Sequence, residues 1–207
     1  MEINKCCFAG GLFLNVKANQ KLWYSKRMEE QWIYPDPGDS GLPVGAALYA
    51  YYNERGKVGD RLQSLYHGPS FENAEIKVIL EDRAIDYEYH ENIEQIAAAY
   101  LAKNKIIGWF QGRMEAGPRA LGNRSILMNP SHPDSKDLIN SKVKFREPFR
   151  PFCPSLLENK ADRYLVDSRP EHFMVTSFEV KEGVKEQIPA VVHVDSTARP
   201  QMVNEAH

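Results

Sequence analysis

Between Glu91 and Asn104 the apolar residues Ile93, Ile96, Ala97, Tyr100 and Leu101 fall at i, i+3, i+4, i+7 and i+8, which makes one stripe of an amphipathic helix. Directly after it, Ile106 to Phe110 is a short β-rich apolar run that stops at Gln111-Gly112. A helix feeding straight into a strand constrains the chain to an α/β arrangement, because each element has an apolar face that the other can cover. With 207 residues, 43% of them hydrophobic and 26% charged, a core for one large domain or two small ones is within reach.

Glycine and proline divide the rest of the chain. Residues 5–9 (KCCFA) read as a buried strand running into a tight turn at Gly10-Gly11. PDPGDSG at 35–41 is a turn-rich loop, and LPVGAALYAYYNERG after it predicts a helix ending near Gly56, with Asp39 or Ser40 as its cap. Residues 57–71 carry Gly59, Gly68 and Pro69 without periodicity, which places a linker or domain boundary there. Residues 72–81 predict a further helix. Ser125 to Met128 reads as a strand, and Pro133 to Lys144 as a helix burying Leu138, Ile139 and Val143. Met174 to Val180 and Ala190 to Val194 read as two more strands. The final stretch, VDSTARPQMVNEAH, shows neither a terminal helix nor a closing strand. There is no internal repeat or low-complexity tract.

Several function classes are disfavoured. The formal charge is -2 and the pI near 6.3, without the basic excess typical of nucleic-acid or membrane-surface proteins. The charge is unevenly placed, however. Residues 113–150 hold eight Lys/Arg (Arg113, Arg119, Arg124, Lys136, Lys142, Lys144, Arg146, Arg150) against four acids (Glu115, Asp134, Asp137, Glu147), so that stretch is +4 and the remainder -6. Of the three cysteines, Cys6 and Cys7 are adjacent and Cys153 is distant, which is neither a disulfide framework nor a zinc spacing. A reducing cytoplasm is the simplest compartment. The N-terminus lacks a signal-like pattern, and no apolar run approaches the roughly 18 residues of a membrane span, so a soluble protein is expected. The six histidines are scattered, with no pair at i, i+3 or i+4, and there is no G-x-S-x-G.

Chemistry concentrates in GRMEAGPRALGNRS, residues 112–125. Arg113, Arg119 and Arg124 alternate with Gly112, Gly117 and Gly122, so cationic forks stand beside backbone that can approach a ligand closely. Converging guanidinium groups suit a phosphate or carboxylate and can neutralise charge developing in phosphoryl or adenylyl transfer. A solvated turn with surface arginines has the same composition. In KVKFREPFRPF, residues 142–152, Lys144, Arg146 and Arg150 alternate with Phe145, Phe149 and Phe152. The rings can anchor the loop while the charges face a ligand, or the rings can be core and the charges surface. HVDSTARPQ, residues 193–201, sets Arg199 just after an apolar run; its plain reading is a turn with an Asx-type bond from Asp195. Gly10, Gly11 and Asn15 follow a strand, where backbone N–H groups can face a phosphate. Asp39 at a loop-to-helix junction suits a divalent metal or a helix cap.

In order along the chain, CFAGGLFLN, YPDPGDSGLPVGAAL, GWFQGRMEAGPRALGNRSIL, NSKVKFREPFRPFCPSLL and VDSTARPQ resemble the carbamoyltransferase family of nodulation-factor and antibiotic-tailoring enzymes, over about residues 5–203. The resemblance implies an α/β fold in two domains. Residues 1–60 correspond to the C-terminal part of an ASKHA (actin-like ATPase) domain, and residues 68–207 to a YrdC-like domain with a mixed twisted sheet and helices, truncated at its C-terminus. It implies an ATP-dependent O-carbamoyltransferase: carbamoyl phosphate and ATP form carbamoyl adenylate in the YrdC-like domain, and the carbamoyl group passes to an acceptor hydroxyl in the ASKHA-type domain. Gly10, Gly11 and Asn15 would contact the nucleotide, and Asp39 would be the late ligand of a divalent metal, iron or Mg. Arg113, Arg119 and Arg124 would be catalytic, with Ser125, Lys144, Arg146, Arg150 and Arg199 binding carbamoyl phosphate and the ATP phosphates. The family's paired metal-binding histidines precede the matched region, and a strand-rich stretch follows it, so the chain is expected to be a fragment. Sugars, aminoglycosides, polyketides and β-lactam precursors are all compatible acceptors. The alternatives are an RNA-binding YrdC-like module and a purely structural interaction domain.

Overall fold

The computed structural model describes residues 4–56 and 62–204. The chain forms β1 (Lys5–Phe8), α1 (Val16–Tyr24), β2 (Glu30–Ile33), α2 (Leu42–Arg55), α3 (Asn73–Asp82), α4 (Ile93–Ala102), β3 (Ile107–Phe110) and β4 (Arg124–Leu127). It continues with α5 (Ser135–Ile139), β5 (Ser155–Leu157), α6 (Ala161–Tyr164), β6 (Phe178–Glu179), β7 (Thr197–Ala198) and β8 (Gln201–Val203). Parallel pairs (β1–β2 and β5–β8) and antiparallel pairs (β3–β4 and β6–β7) occur together in four two-stranded sheets among the described residues, so the protein is mixed α/β.

The helices at α2, α3 and α4 and the strands at β3 and β4 stand where the patterns place them. α2 ends on Gly56 in the left-handed region (φ 63), whose N–H reaches the Tyr52 carbonyl at 2.7 Å, a conformation that suits a residue without Cβ. Its start differs from the expectation. Asp39 opens a 3₁₀ turn ending at Gly41, Gly41 is the cap residue, and Ser40 Oγ donates to Asp36 Oδ1 at 2.6 Å instead of serving the helix. β1 is half-exposed rather than buried.

Four other expectations are corrected. The helix after Pro133 is regular only to Ile139 and then widens into a π-type turn over Asn140–Lys144, which leaves Ile139 buried, Leu138 half-buried and Val143 exposed. Within 174–180 only Phe178–Glu179 pairs as a strand. Residues 190–194 form no strand, because Pro189 opens a 3₁₀ turn through Val191. The C-terminal stretch does close a sheet: β8 lies parallel to β5, with Leu156 opposite Met202. The polar run VKANQKLWY forms a helix that its apolar pattern does not announce.

α1 joins the two ends of the chain. The side chain of Asn15 caps it, accepting from the amides of Lys17 and Ala18 at 3.1 and 3.2 Å. Asn19, fully buried, donates to the carbonyls of Phe13 and Val175 at 2.8 and 2.7 Å, and Trp23 Nε1 donates to Asp167 O at 2.8 Å. Trp23 and Tyr24 thereby lie against the main core, built from Leu156, Leu165, Phe178, Val180, Ile188 and Met202 among others. A smaller cluster of Leu65, Leu121 and Met174, with Cys153 and Tyr66 against it, sits beneath the Arg/Gly segment.

Candidate functional site

The connection from β3 to β4 carries the Arg/Gly segment. It turns on Gly112, Gly117 and Gly122, all with positive φ, so it is a compact loop held from inside rather than by a ladder. One limb runs beside residues 65–69, with Ala116 N donating to Leu65 O at 2.8 Å and Gly68 N to Met114 O at 2.9 Å. The returning limb is held by Glu115, a buried residue whose Oε1 accepts the amides of Leu121, Asn123 and Arg124 at 2.8, 2.7 and 3.1 Å. Burial opposes ionisation of this carboxyl, but those amides outweigh it and hold its pKa below the usual carboxylate value.

The arginines of the segment divide into two kinds. Arg113 is exposed and points away from the loop centre, donating to the carbonyls of His67 and Gly68 at 2.8 and 3.1 Å. Arg124 stacks on Phe110, 3.6 Å from the ring centroid, and its fork meets the carbonyls of Gln111 and Asn123 at 2.6 and 2.9 Å, with those of Gly112 and Pro69 at 3.2 and 3.3 Å. These guanidinium groups clamp the loop onto its neighbours. Arg119, between them, sits half-buried at the loop's tip and faces a cavity.

That cavity, of about 290 Å³, collects Arg119, Arg124, Ser125, Lys144, Arg146 and Arg199 from three separated stretches of chain, and no carboxylate among the described residues lines it. Arg199 donates from Nε and Nη2 to Cys153 Sγ at 3.0 and 2.8 Å. Arg146 packs over Phe152, 4.6 Å from the ring centroid, and donates from Nε to Asn140 Oδ1 at 2.7 Å. The Ser125 hydroxyl accepts the Gly122 amide at 3.0 Å. Burial, and next the positive charge of Arg199, lower the pKa of Arg119, with Cys153 acting in the opposite direction. Cations held this close repel one another, and an anion between them would relieve that repulsion. Arg150 lies outside, paired with Glu147 at 2.8 Å. Of the interleaved rings only Phe152 packs on the core; Phe145 and Phe149 are exposed. Asp195 does form the Asx turn, accepting from Thr197 N at 3.2 Å.

A second cavity, of about 350 Å³, lies between the β1–β2 pair and α2 and is lined by Gly10, Gly11, Tyr34, Asp36 and Asp39 along with apolar α2 side chains. Gly10 N donates to Pro37 O at 2.7 Å, and Asn15, occupied in capping α1, does not line this space. Among the described residues no group of three or more His, Cys, Asp or Glu side chains gathers, so Asp39 offers one oxygen ligand without a complete metal set around it. The two cavities belong to adjoining loops: a Cβ on Gly117 would stand 3.3 Å from the Asp36 Cβ.

Glu115, which holds the returning limb of the loop without lining the cavity, is left unmarked by the pattern of charges, since it reads as an acid in a basic run. Cys153 and Gln201 line the first cavity without a motif to announce them.

Fold and cavity define a mixed α/β protein with a concave pocket rich in cationic side chains and lined by no carboxylate among the described residues. The chain belongs to the carbamoyltransferase family: residues 98–207 match the model of the carbamoyltransferase C-terminus, and residues 1–48 match that of the carbamoyltransferase N-terminus. It is 40% identical, over 99% of its length, to an uncharacterized protein of Methanocaldococcus jannaschii, of which it covers 35%. It is 39% identical over 98% of its length to nodulation protein NolO of Bradyrhizobium diazoefficiens, covering 38% of that protein. To nodulation protein U of Rhizobium fredii it is 38% identical over 96% of its length, covering 32%. The chain thus spans about a third of the length of the curated relatives it matches. No helix among the described residues is long and apolar enough to cross a membrane.

Proposed function

We propose that the chain carries the donor-activating part of an ATP-dependent O-carbamoyltransferase, with carbamoyl phosphate and the ATP phosphates bound in the cavity of Arg119, Arg199, Lys144 and Arg146. The observation that carries this reading is the convergence of those cations on one concave surface that no carboxylate among the described residues lines. The family membership supplies the carbamoyl group as the cargo. In this reading residues 68–207 are the YrdC-like unit, and residues 1–60 are the end of an ASKHA-type unit that receives the activated group.

The sequence of steps is the one the family resemblance implies. Water takes the phosphoryl group of carbamoyl phosphate, giving phosphate and carbamate. A carbamate oxygen then attacks the α-phosphorus of ATP, and the bond to the β-phosphate breaks to release pyrophosphate. The acceptor hydroxyl oxygen next attacks the carbonyl carbon of carbamoyl adenylate, AMP leaves, and the hydroxyl proton passes to a base. Apart from the singly charged carbamate, the anions of the first two steps carry several charges on phosphate oxygens, so the chemistry asks mainly for positioning and fixed positive charge. Arg119 and Arg199 supply charge where the leaving pyrophosphate accumulates it, and Lys144 and Arg146 add to it from the same cavity wall. Gly10 and Gly11, lining the second cavity, would contact the nucleotide, with Asp39 as one contributor to a divalent metal site completed by other residues. The test is pyrophosphate release from ATP by the chain. Release that requires carbamoyl phosphate and is lost in Arg119→Ala supports the reading, whereas release indifferent to carbamoyl phosphate contradicts it.

A further inference from the structure

The β3–β4 loop has almost no regular structure, yet it places Arg119 at one point of the cavity wall. The groups that hold it lie on one centre. Three amides of the returning limb, those of Leu121, Asn123 and Arg124, point at a single oxygen of Glu115 at 2.7 to 3.1 Å, and the residue itself is buried. Converging backbone N–H groups form a nest that ordinarily attracts a free anion. Here the nest is filled from within the chain, so the ligand is left to the guanidinium groups outside it. The outer ties fix the same limb: Tyr66 Oη and Gln201 Nε2 both donate to Leu121 O at 2.8 Å. Arg119 lies between Glu115 and Leu121, inside the ring that the carboxylate closes.

We propose that Glu115 is the positioning residue of the anion site, its carboxylate closing the loop so that Arg119 faces the cavity beside Arg199. The proposal rests on the reading of that cavity as an anion site. Ionised acceptors hold N–H donors about twice as strongly as neutral ones. A neutral isostere therefore keeps the shape while loosening the ring, and an apolar residue strands three donors.

The experiment is calorimetric titration of the whole chain with pyrophosphate at neutral pH, for wild type, Glu115→Gln, Glu115→Leu, Arg119→Ala and the double variant Glu115→Gln/Arg119→Ala. Near-UV circular dichroism of each reports folding. Wild type binds; Glu115→Gln binds severalfold more weakly, Glu115→Leu about tenfold or more. The Gln substitution has no further effect once Arg119 is alanine, because its effect acts through that side chain. A folded Glu115→Gln that binds like wild type overturns the proposal, and the isostere carries this test even if the leucine variant does not fold. So does an equal loss from Glu115→Gln in both backgrounds, the mark of a general structural role. Absence of pyrophosphate binding by wild type overturns the anion-site reading and this role with it.

Discussion

Glu115 and Glu171 are both buried carboxyls, and their proton affinities move in opposite directions. Amides outweigh burial at Glu115 and lower its pKa, whereas burial dominates at Glu171 and raises it, against the opposing pull of Arg169 and the amides of Phe173 and Val175. The native state therefore holds the Glu171 proton after the unfolded chain has released it near pH 4.5. Stability falls as pH rises from there through the folded value, and the loss is fully present above it. Glu171→Gln removes that loss while its amide oxygen still accepts from Phe173 N and Val175 N. Urea unfolding at pH 7 should show a higher midpoint for Glu171→Gln than for wild type, with the difference vanishing below pH 4.5; a lower midpoint at pH 7 contradicts the assignment. Glu115 runs the other way: its contribution is present above the unfolded carboxylate value and is lost as pH falls through the folded one. None of this is legible in the residues alone, because burial and amide partners decide it. The arginines show the same limit. Five donors fit a phosphate and a set of carbonyls equally well, so spacing cannot separate Arg119, facing the cavity, from Arg113 and Arg124, which clamp the loop.

Elements with a terminating signal and an apolar stripe were readable, and those stabilised from elsewhere were not. α2 ends on a glycine in the left-handed region, and α4 carries its stripe at regular spacing. α1 buries two amides, Asn19 and Gln20, so its inward face looks polar. Residues 190–194 show the ambiguity of a short apolar run, which a strand and a buried 3₁₀ turn share; Pro189 was the available discriminator. β8 has no signal of its own because its partner, β5, lies far back in the chain. The Arg/Gly loop was recognisable as a turn, and Gly117 shows why glycine is needed there: φ is +91 and the space for a Cβ borders Asp36. Gly117→Ala should cost about 1–3 kcal/mol by strain at positive φ and also weaken anion binding, since Arg119 is two residues along. Denaturant midpoints and pyrophosphate titrations check both, and an alanine variant that is unchanged in each contradicts the loop geometry.

At the scale of the whole molecule, the basic stretch of residues 113–150 does not spread into a flat patch; part of it folds inward around one cavity while Arg113 and Arg150 turn aside. This is why net charge, at -2, said little about the ligand. α2 buries none of its side chains, and Leu42, Leu48 and Tyr49 are exposed in a chain that covers about a third of its longer relatives. The two halves meet where Asp36 approaches Gly117 and where α1 reaches the C-terminal core, so the two cavities share a framework. If the cavity between Arg119 and Arg199 binds the carbamoyl donor, calorimetry reads it as affinity of the chain for carbamoyl phosphate, in wild type, Arg119→Ala and Arg199→Ala. Saturable binding, weakened about tenfold or more in each folded variant by loss of a charge-assisted contact, is the predicted result. No binding by wild type, or variants that bind as tightly as wild type, would contradict it.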